Sequence, residues 1–319
     1  MTNDPDTPLP NADSARRHPG MTRAEFEAKV RERREQFDRA NDKITARSGR
    51  NLVSAIGIGL GLGLVMIFSL VFVKAIFVVF ATILLAFTAF ELATALRHAG
   101  RDVPRVPSVL ATVVVVPVSF YFGAEWQWIS TIGGVLLVVL WRLVELSIAR
   151  HRAPMRSVAL DMSGGVFIQV YITFLGSIAA LLLRNDNGQW WVMTFLIVVV
   201  SVDVGAYATG LNFGKHPMAP TISPKKTWEG FAGSWIFGVA SSVVLSIFLL
   251  DMPWWFGLIL GTVLVLSATA GDLSESLLKR DLGIKDMSTW LPGHGGFLDR
   301  LDSILPSAAA AYVLFIVFA

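Results

Sequence analysis

The chain has 319 residues, 54% hydrophobic and 16% charged, with a formal net charge of +3 and no cysteine. Soluble domains run nearer a quarter charged, so this composition describes a protein that meets lipid, and its ten Trp and 21 Phe suit bilayer interfaces. The missing cysteines exclude disulfides, thiolate metal sites and thiol nucleophiles; the small charge, without a basic patch interleaved with aromatics, argues against a nucleic-acid partner.

Residues 1–20 are rich in Pro, Asp and Asn and are expected to be disordered. Residues 21–48 carry Glu25, Lys29, Arg33 and Glu35 at helical spacing, which predicts a solvated helix on the membrane surface. Residues 1–50 thus read as a charged cytoplasmic tail with no part in the chemistry and no signal-peptide core.

Residues 51–319 read as one all-α, polytopic membrane domain. About nine spans of roughly 20 residues are expected near 52–72, 75–96, 107–123, 126–147, 162–183, 190–210, 229–250, 253–275 and 303–319. With the N-terminus in the cytoplasm, the inside loops hold Arg97, Arg101, Arg105, Arg150, Arg152, Arg156, Lys215, Lys225, Lys226, Lys279, Arg280, Lys285 and Arg300. The outside loops hold only Lys74 and Arg184, an asymmetry that predicts the orientation. In the first span Gly57, Gly59, Gly61 and Gly63 form small-xxx-small spacings that predict close helix packing. A dinucleotide fingerprint would need a strand–turn–helix unit, and no phosphate-binding G-x-x-x-x-G-K-[ST] loop occurs.

Two clusters break the apolar pattern. In the first, Asp203 lies inside the sixth span, where an isolated carboxylate costs about 2.5–3.5 kcal/mol, and should face a hydrated or cationic pocket. Beyond it Ser223-Pro224-Lys225-Lys226-Thr227-Trp228-Glu229-Gly230 leads into the seventh span; Ser223 before proline favours an extended approach, and Glu229 suits a helix start. In the second, the eighth span is long enough to project beyond the hydrocarbon, and Asp272, Ser276, Lys279 and Arg280 fall on one helical face. The segment Pro292 to Gly296 cannot form a regular helix, and it delivers Asp299, Arg300 and Asp302 beside the last span. Carboxylates gathered among lysines and arginines suit Mg²⁺ and phosphate. Glu91, Arg142 and Glu145, also within spans, read as interfacial or paired structural charges.

The pattern Ser276-x-Leu278-Lys279-Arg280-x4-Lys285-Asp286-x-Ser288-x2-Leu291-Pro292-x-His294-Gly295-Gly296-Phe297-x-Asp299-Arg300-Leu301-Asp302 resembles the signature of the phosphatidate cytidylyltransferases. Asp203-x-Gly205-Ala206-Tyr207 and the Ser223–Gly230 block are similar to that family's other motifs, and Leu211 stands where the family often carries a basic residue. The resemblance covers about Leu52 to the C-terminus. It implies a homodimer in the inner membrane that joins CTP to phosphatidate at the cytoplasmic face, giving CDP-diacylglycerol and pyrophosphate for phospholipid synthesis.

By the same resemblance Asp272 and Asp299 hold Mg²⁺, with a monovalent cation such as K⁺ beside it. Asp203 and Asp302 are further candidate ligands. Asp272, Asp299, Lys279 and Lys226 form the expected catalytic set, and Ser223, Lys225, Lys226, Thr227, Ser276, Lys279, Arg280, Lys285, His294 and Arg300 the substrate-binding set. A lipid phosphate is already anionic and needs no strong base, so His294 is read as a loop or phosphate-bonding residue. The alternatives are a CTP-dependent polyprenol or lipid-alcohol kinase, which would move the γ-phosphate, and a transporter, disfavoured because the charges gather at one face and no internal repeat is visible.

Overall fold

The computed structural model describes residues 52–148, 154–284, 286–288, 290 and 295–319. The expected tail, Lys285 and His294 lie outside the described residues. Helix α1 (Leu52–Phe72) is followed by α2 (Lys74–His98), α3 (Arg105–Phe122) and α4 (Ala124–Glu145). Then come α5 (Met155–Ile168), a π-helical turn (Gln169–Phe174) and α6 (Leu175–Arg184), all in one continuous rod. Helix α7 (Gly188–Phe213) leads to a hairpin of β1 (Pro217–Ala219) and β2 (Ser223–Thr227). Helices α8 (Trp228–Phe248), α9 (Trp254–Asp281), the short α10 (Leu298–Leu301) and α11 (Ile304–Phe318) complete the chain.

Among the described residues eight helices, counting α5–α6 and α10–α11 as one each, are long and apolar enough to cross a membrane. Prolines set several starts: Pro104, Pro154 and Pro253 each occupy the residue ahead of a helix, where an absent amide hydrogen removes no intrahelical bond. Left-handed Gly123, at φ 92°, makes the tight break between α3 and α4 that a side chain would resist.

The rod α5–α6 differs most from expectation. Its start is at Met155 rather than 162, because Asp161 sits within the helix and is buried. Arg142 of α4 approaches one Asp161 oxygen through Nε at 3.0 Å and Nη2 at 2.8 Å, and the Asp102 amide donates to the other at 2.7 Å. A paired carboxylate no longer marks a span boundary, and Arg142 and Glu145, 4.0 Å apart, are indeed paired charges. The π turn is surrounded by polar contacts, with Thr173 2.7 Å from Thr112 and Gln169 donating to the Ser108 carbonyl at 3.3 Å.

One apolar core joins α7, α9 and α11 around Phe195, Val199, Leu260 and Ala311; a second joins α2, the π rod and α10 around Leu92, Ile168, Leu298 and Leu301. Helix α8 packs between α7 and α9 at close range: a methyl on Gly205 would meet the Gly233 carbonyl at 2.7 Å, and one on Gly261 the Val239 backbone at 2.7 Å. The glycine stripe of α1 behaves differently. A methyl on Gly61 or Gly63 would meet nothing within 4 Å, so the close packing expected there is absent at these two positions.

Candidate active site

Helix α7 ends at Phe213 and the chain turns directly into the hairpin. Its strands pair antiparallel, Pro217 with Thr227 and Ala219 with Ser223. Glu229, in the first turn of α8, fastens this turn: Oε2 accepts from the amides of Lys215 (3.1 Å) and His216 (3.2 Å), and Oε1 lies 2.5 Å from His216 Nδ1. Thr227 caps α8 by accepting from the Gly230 amide at 3.1 Å, which fixes where the strand ends. The extended path predicted from Ser223–Pro224 is therefore real strand, a small addition to an otherwise helical fold. Along this strand Lys225 is exposed and Lys226 half-buried.

Helix α9 brings Asp272 to this hairpin, where it forms an ion pair with Lys226. Two turns further on, Lys279 reaches across to Asp299 Oδ1 at 2.8 Å and to Glu275 at 2.5 Å. Asp299 Oδ2 accepts from the Gly296 amide at 2.7 Å and the Met287 amide at 3.2 Å, so this carboxylate also orders the glycine-rich loop. Gly295 has φ 84°, the left-handed geometry that favours glycine. Gly271 has no room for a side chain, since a methyl would run into the Asp302 carbonyl; α9 and the α10–α11 junction therefore touch at the level of Asp272.

These elements enclose a cavity of about 400 Å³ lined by Asp203, Lys225, Lys226, Thr227, Asp272, Asp299, Arg300 and Asp302, with Tyr207, Thr269 and Ser303. Asp203 lies ten residues before the end of α7, which carries the cavity roughly 15 Å in from that helix end. Asp203 thus shares the cavity with Lys225, Lys226 and Arg300, the cationic surroundings that are one of the two settings expected for it.

Not every residue of the expected face points here. Ser276 and Ser223 are half-buried away from the cavity, Lys279 stands behind Asp299, and Arg280 turns its Nε to the Ile222 carbonyl at 3.1 Å. Positions i, i+4, i+7 and i+8 spread over roughly 100° of helix, wide enough for neighbouring elements to divide them. Arg280 ties the hairpin turn to α9.

Two residues outside the expected set matter. Glu275 is 1% exposed and shares Lys279 with Asp299, a role that its i, i+4 spacing to Lys279 could have signalled. Glu91 of α2 is 2% exposed and holds the signature loop: Oε1 accepts from the Phe297 amide at 3.1 Å, Oε2 from the Leu298 amide at 2.8 Å, and Ser288 donates its hydroxyl. A methyl on Gly296 would strike the Glu91 carboxylate. Phe87 stacks on Phe297 at 5.4 Å and Phe90 on Trp290 at 5.7 Å, so α2 grips the loop with both charge and rings. The sequence reading treated Glu91 as a structural charge; the structure makes it the clamp of the signature.

The donor set can be tested against a metal. Four carboxylates share one cavity, and the charges of Asp203 and Asp272 both bear on Asp302. Among the described residues no three acidic or histidine side chains gather closely enough to hold an ion unaided. Mg²⁺ commonly takes one or two carboxylates and completes its shell with water and phosphate, so these hard oxygens fit an ion bound together with a nucleotide.

Carboxylates and lysines around a cavity that enters a multi-pass helical bundle define a membrane protein suited to polyanionic phosphates beside lipid. The chain belongs to the cytidylyltransferase family, whose profile matches residues 53–318. It is 43% identical over 275 residues to a phosphatidate cytidylyltransferase of Mycobacterium bovis, covering 85% of this chain and 90% of that protein. A phosphatidate cytidylyltransferase of Mycobacterium tuberculosis matches at 43%, covering 85% and 84%, and one of Mycobacterium leprae at 38%, covering 86% and 91%.

Proposed function

We propose that this enzyme transfers the cytidylyl group of CTP to phosphatidate, forming CDP-diacylglycerol and pyrophosphate for phospholipid synthesis. The supporting observation is that two segments distant in sequence, the Lys225–Lys226 hairpin and the Asp299–Asp302 signature, meet with Asp272 around one cavity.

A phosphatidate oxygen attacks the α-phosphorus of CTP, and the bond from that phosphorus to the bridging oxygen of the β-phosphate breaks. The attacking group is anionic, so the chain's task is to relieve repulsion between two anions and stabilise the departing pyrophosphate. Lys225, Lys226 and Arg300 face the cavity and take up that charge. Lys279 acts from behind, donating to Asp299 Oδ1 and so fixing this carboxylate at the cavity wall. Asp272 and Asp299 would hold Mg²⁺, with Asp203 and Asp302 beside them and a monovalent cation such as K⁺ nearby; when bound, the metal supplies neutralisation of the phosphate oxygens. The thirteen-to-two loop bias supports a cytoplasmic N-terminus and a cavity facing the cytoplasm of the inner membrane. The family resemblance supports a homodimer.

Purified protein supplied with phosphatidate and CTP labelled at either the α- or the γ-phosphate tests the reading. Label from the α position should enter the lipid phase. Entry of γ-label would identify a kinase instead.

A further inference from the structure

Tyr171 lies in the π turn with its hydroxyl oxygen buried, and among the described residues that oxygen has no hydrogen-bond partner. Burying a hydroxyl without a partner costs free energy that phenylalanine, alike in shape, would not. A π turn also interrupts regular helical hydrogen bonding, and such turns recur at functional sites. Both features weigh against stability, which points to a task beyond holding the fold. The direction of the ring indicates the task. Gln169 and Thr173, two residues to either side, face α3 through Ser108 and Thr112. Positions two apart lie on roughly opposite sides of a helix, so Tyr171 turns the other way. There it packs against the apolar core that contains Leu298, Leu301 and Leu305, the leucines around Asp299 and Asp302. Phe167 stacks on the ring with centroids 5.2 Å apart and an angle of 9° between planes, which fixes its orientation.

We propose that Tyr171 is a positioning residue of the charged cavity: in the nucleotide-loaded enzyme its hydroxyl donates to the Asp302 carboxylate and so holds that carboxylate for the divalent cation. The inference rests on the reading of the cavity as a site for Mg²⁺ and CTP. Three carboxylates act on the ring electrostatically, Asp302 ahead of Glu275 and Asp272. Asp272 is paired with Lys226 and Glu275 with Lys279, whereas among the described residues no lysine or arginine pairs with Asp302. Its Oδ1 accepts from the Ser303 amide at 2.7 Å, and a phenol approaching from the rod would supply a second donor. A phenol keeps its proton at neutral pH, so it remains a donor beside a carboxylate. A carboxylate hydrogen-bonded from behind keeps one orientation, and outer partners of this kind change metal affinity by about 10- to 100-fold.

The test titrates Mn²⁺ into detergent-purified protein with CTP present, reading free Mn²⁺ by electron paramagnetic resonance beside lipid labelling and thermal unfolding. It compares wild type, Tyr171→Phe, Asp302→Asn and the double variant. Tyr171→Phe should weaken Mn²⁺ binding and lower kcat about tenfold each, with the KM for phosphatidate within about twofold of wild type. Its thermal stability should equal or exceed that of wild type, since a buried hydroxyl without a partner is removed. Added to Asp302→Asn it should cause no further loss, because both changes remove the same hydrogen bond. Wild-type Mn²⁺ affinity and kcat in Tyr171→Phe would reduce the hydroxyl to a packing defect and overturn the inference. Losses that add in the double variant would overturn it too, by sending the hydroxyl to another acceptor. Wild type that binds no Mn²⁺ in the presence of CTP would instead overturn the metal reading of the cavity, and this inference with it.

Discussion

Replacing Glu91 by alanine should disable the enzyme although Glu91 does not line the charged cavity. Its two oxygens are divided, Oε1 serving the Phe297 amide and Oε2 the Leu298 amide. Removing both acceptors leaves two backbone donors in a buried position, and at about 1–3 kcal/mol for each the loop loses roughly 2–6 kcal/mol of local stability. Each 1.4 kcal/mol is tenfold, so the ordered loop should fall by about one to four decades relative to wild type. Because Asp299 and Arg300 depend on that loop, turnover should drop by at least one decade, with the larger change in kcat. Glu91→Gln should also be impaired, since one amide would then face an NH₂ group. Trp290→Ala removes ring contacts with Phe87 and Phe90 but no hydrogen-bond acceptor, and its loss should be smaller. The assay is CTP-dependent lipid labelling, read beside thermal unfolding in detergent to separate loop disorder from global loss of fold. Wild-type kcat in Glu91→Ala would refute the clamp.

Lys226→Met removes the partner of Asp272 and a cavity cation, and the KM for CTP should rise about 10- to 100-fold; an unchanged KM would take Lys226 out of nucleotide binding. Chelation with EDTA should abolish turnover and Mg²⁺ restore it, and Asp272→Asn should raise the Mg²⁺ needed; turnover indifferent to EDTA would leave the charge work to lysine and arginine alone. Arg142→Met strands the buried Asp161 and should cost about 3–5 kcal/mol in unfolding experiments, most of it recovered in Arg142→Met with Asp161→Leu. Gly271→Ala forces its methyl against the Asp302 carbonyl and should lower activity and thermal stability together, by about 1–3 kcal/mol in the latter.

Asp203 was legible because an acid in an apolar run has few inexpensive explanations, and the same logic applied to Glu91 would have marked it too. With no motif around it, Glu91 reads from sequence only as an interfacial or paired structural charge. Its partners are backbone amides about two hundred positions away, and amides carry no sequence identity. Asp161 was missed for a related reason. A charge within hydrophobic sequence looks like a boundary until its counter-ion, here Arg142 on the neighbouring helix, is known.

Membrane residence, the helical class and the two charged motifs follow from composition and order, because lipid leaves backbone amides only regular solutions and makes every intramembrane charge conspicuous. Which side chains share a cavity is a property of packing. Asp272, Lys279 and Arg280 ride one helix, yet they are claimed respectively by Lys226 of the hairpin, by Asp299 of the signature and by a carbonyl of the hairpin turn. Helical spacing sets their angles to within about 100°; the neighbours that the folded chain supplies determine which of them meet the substrate.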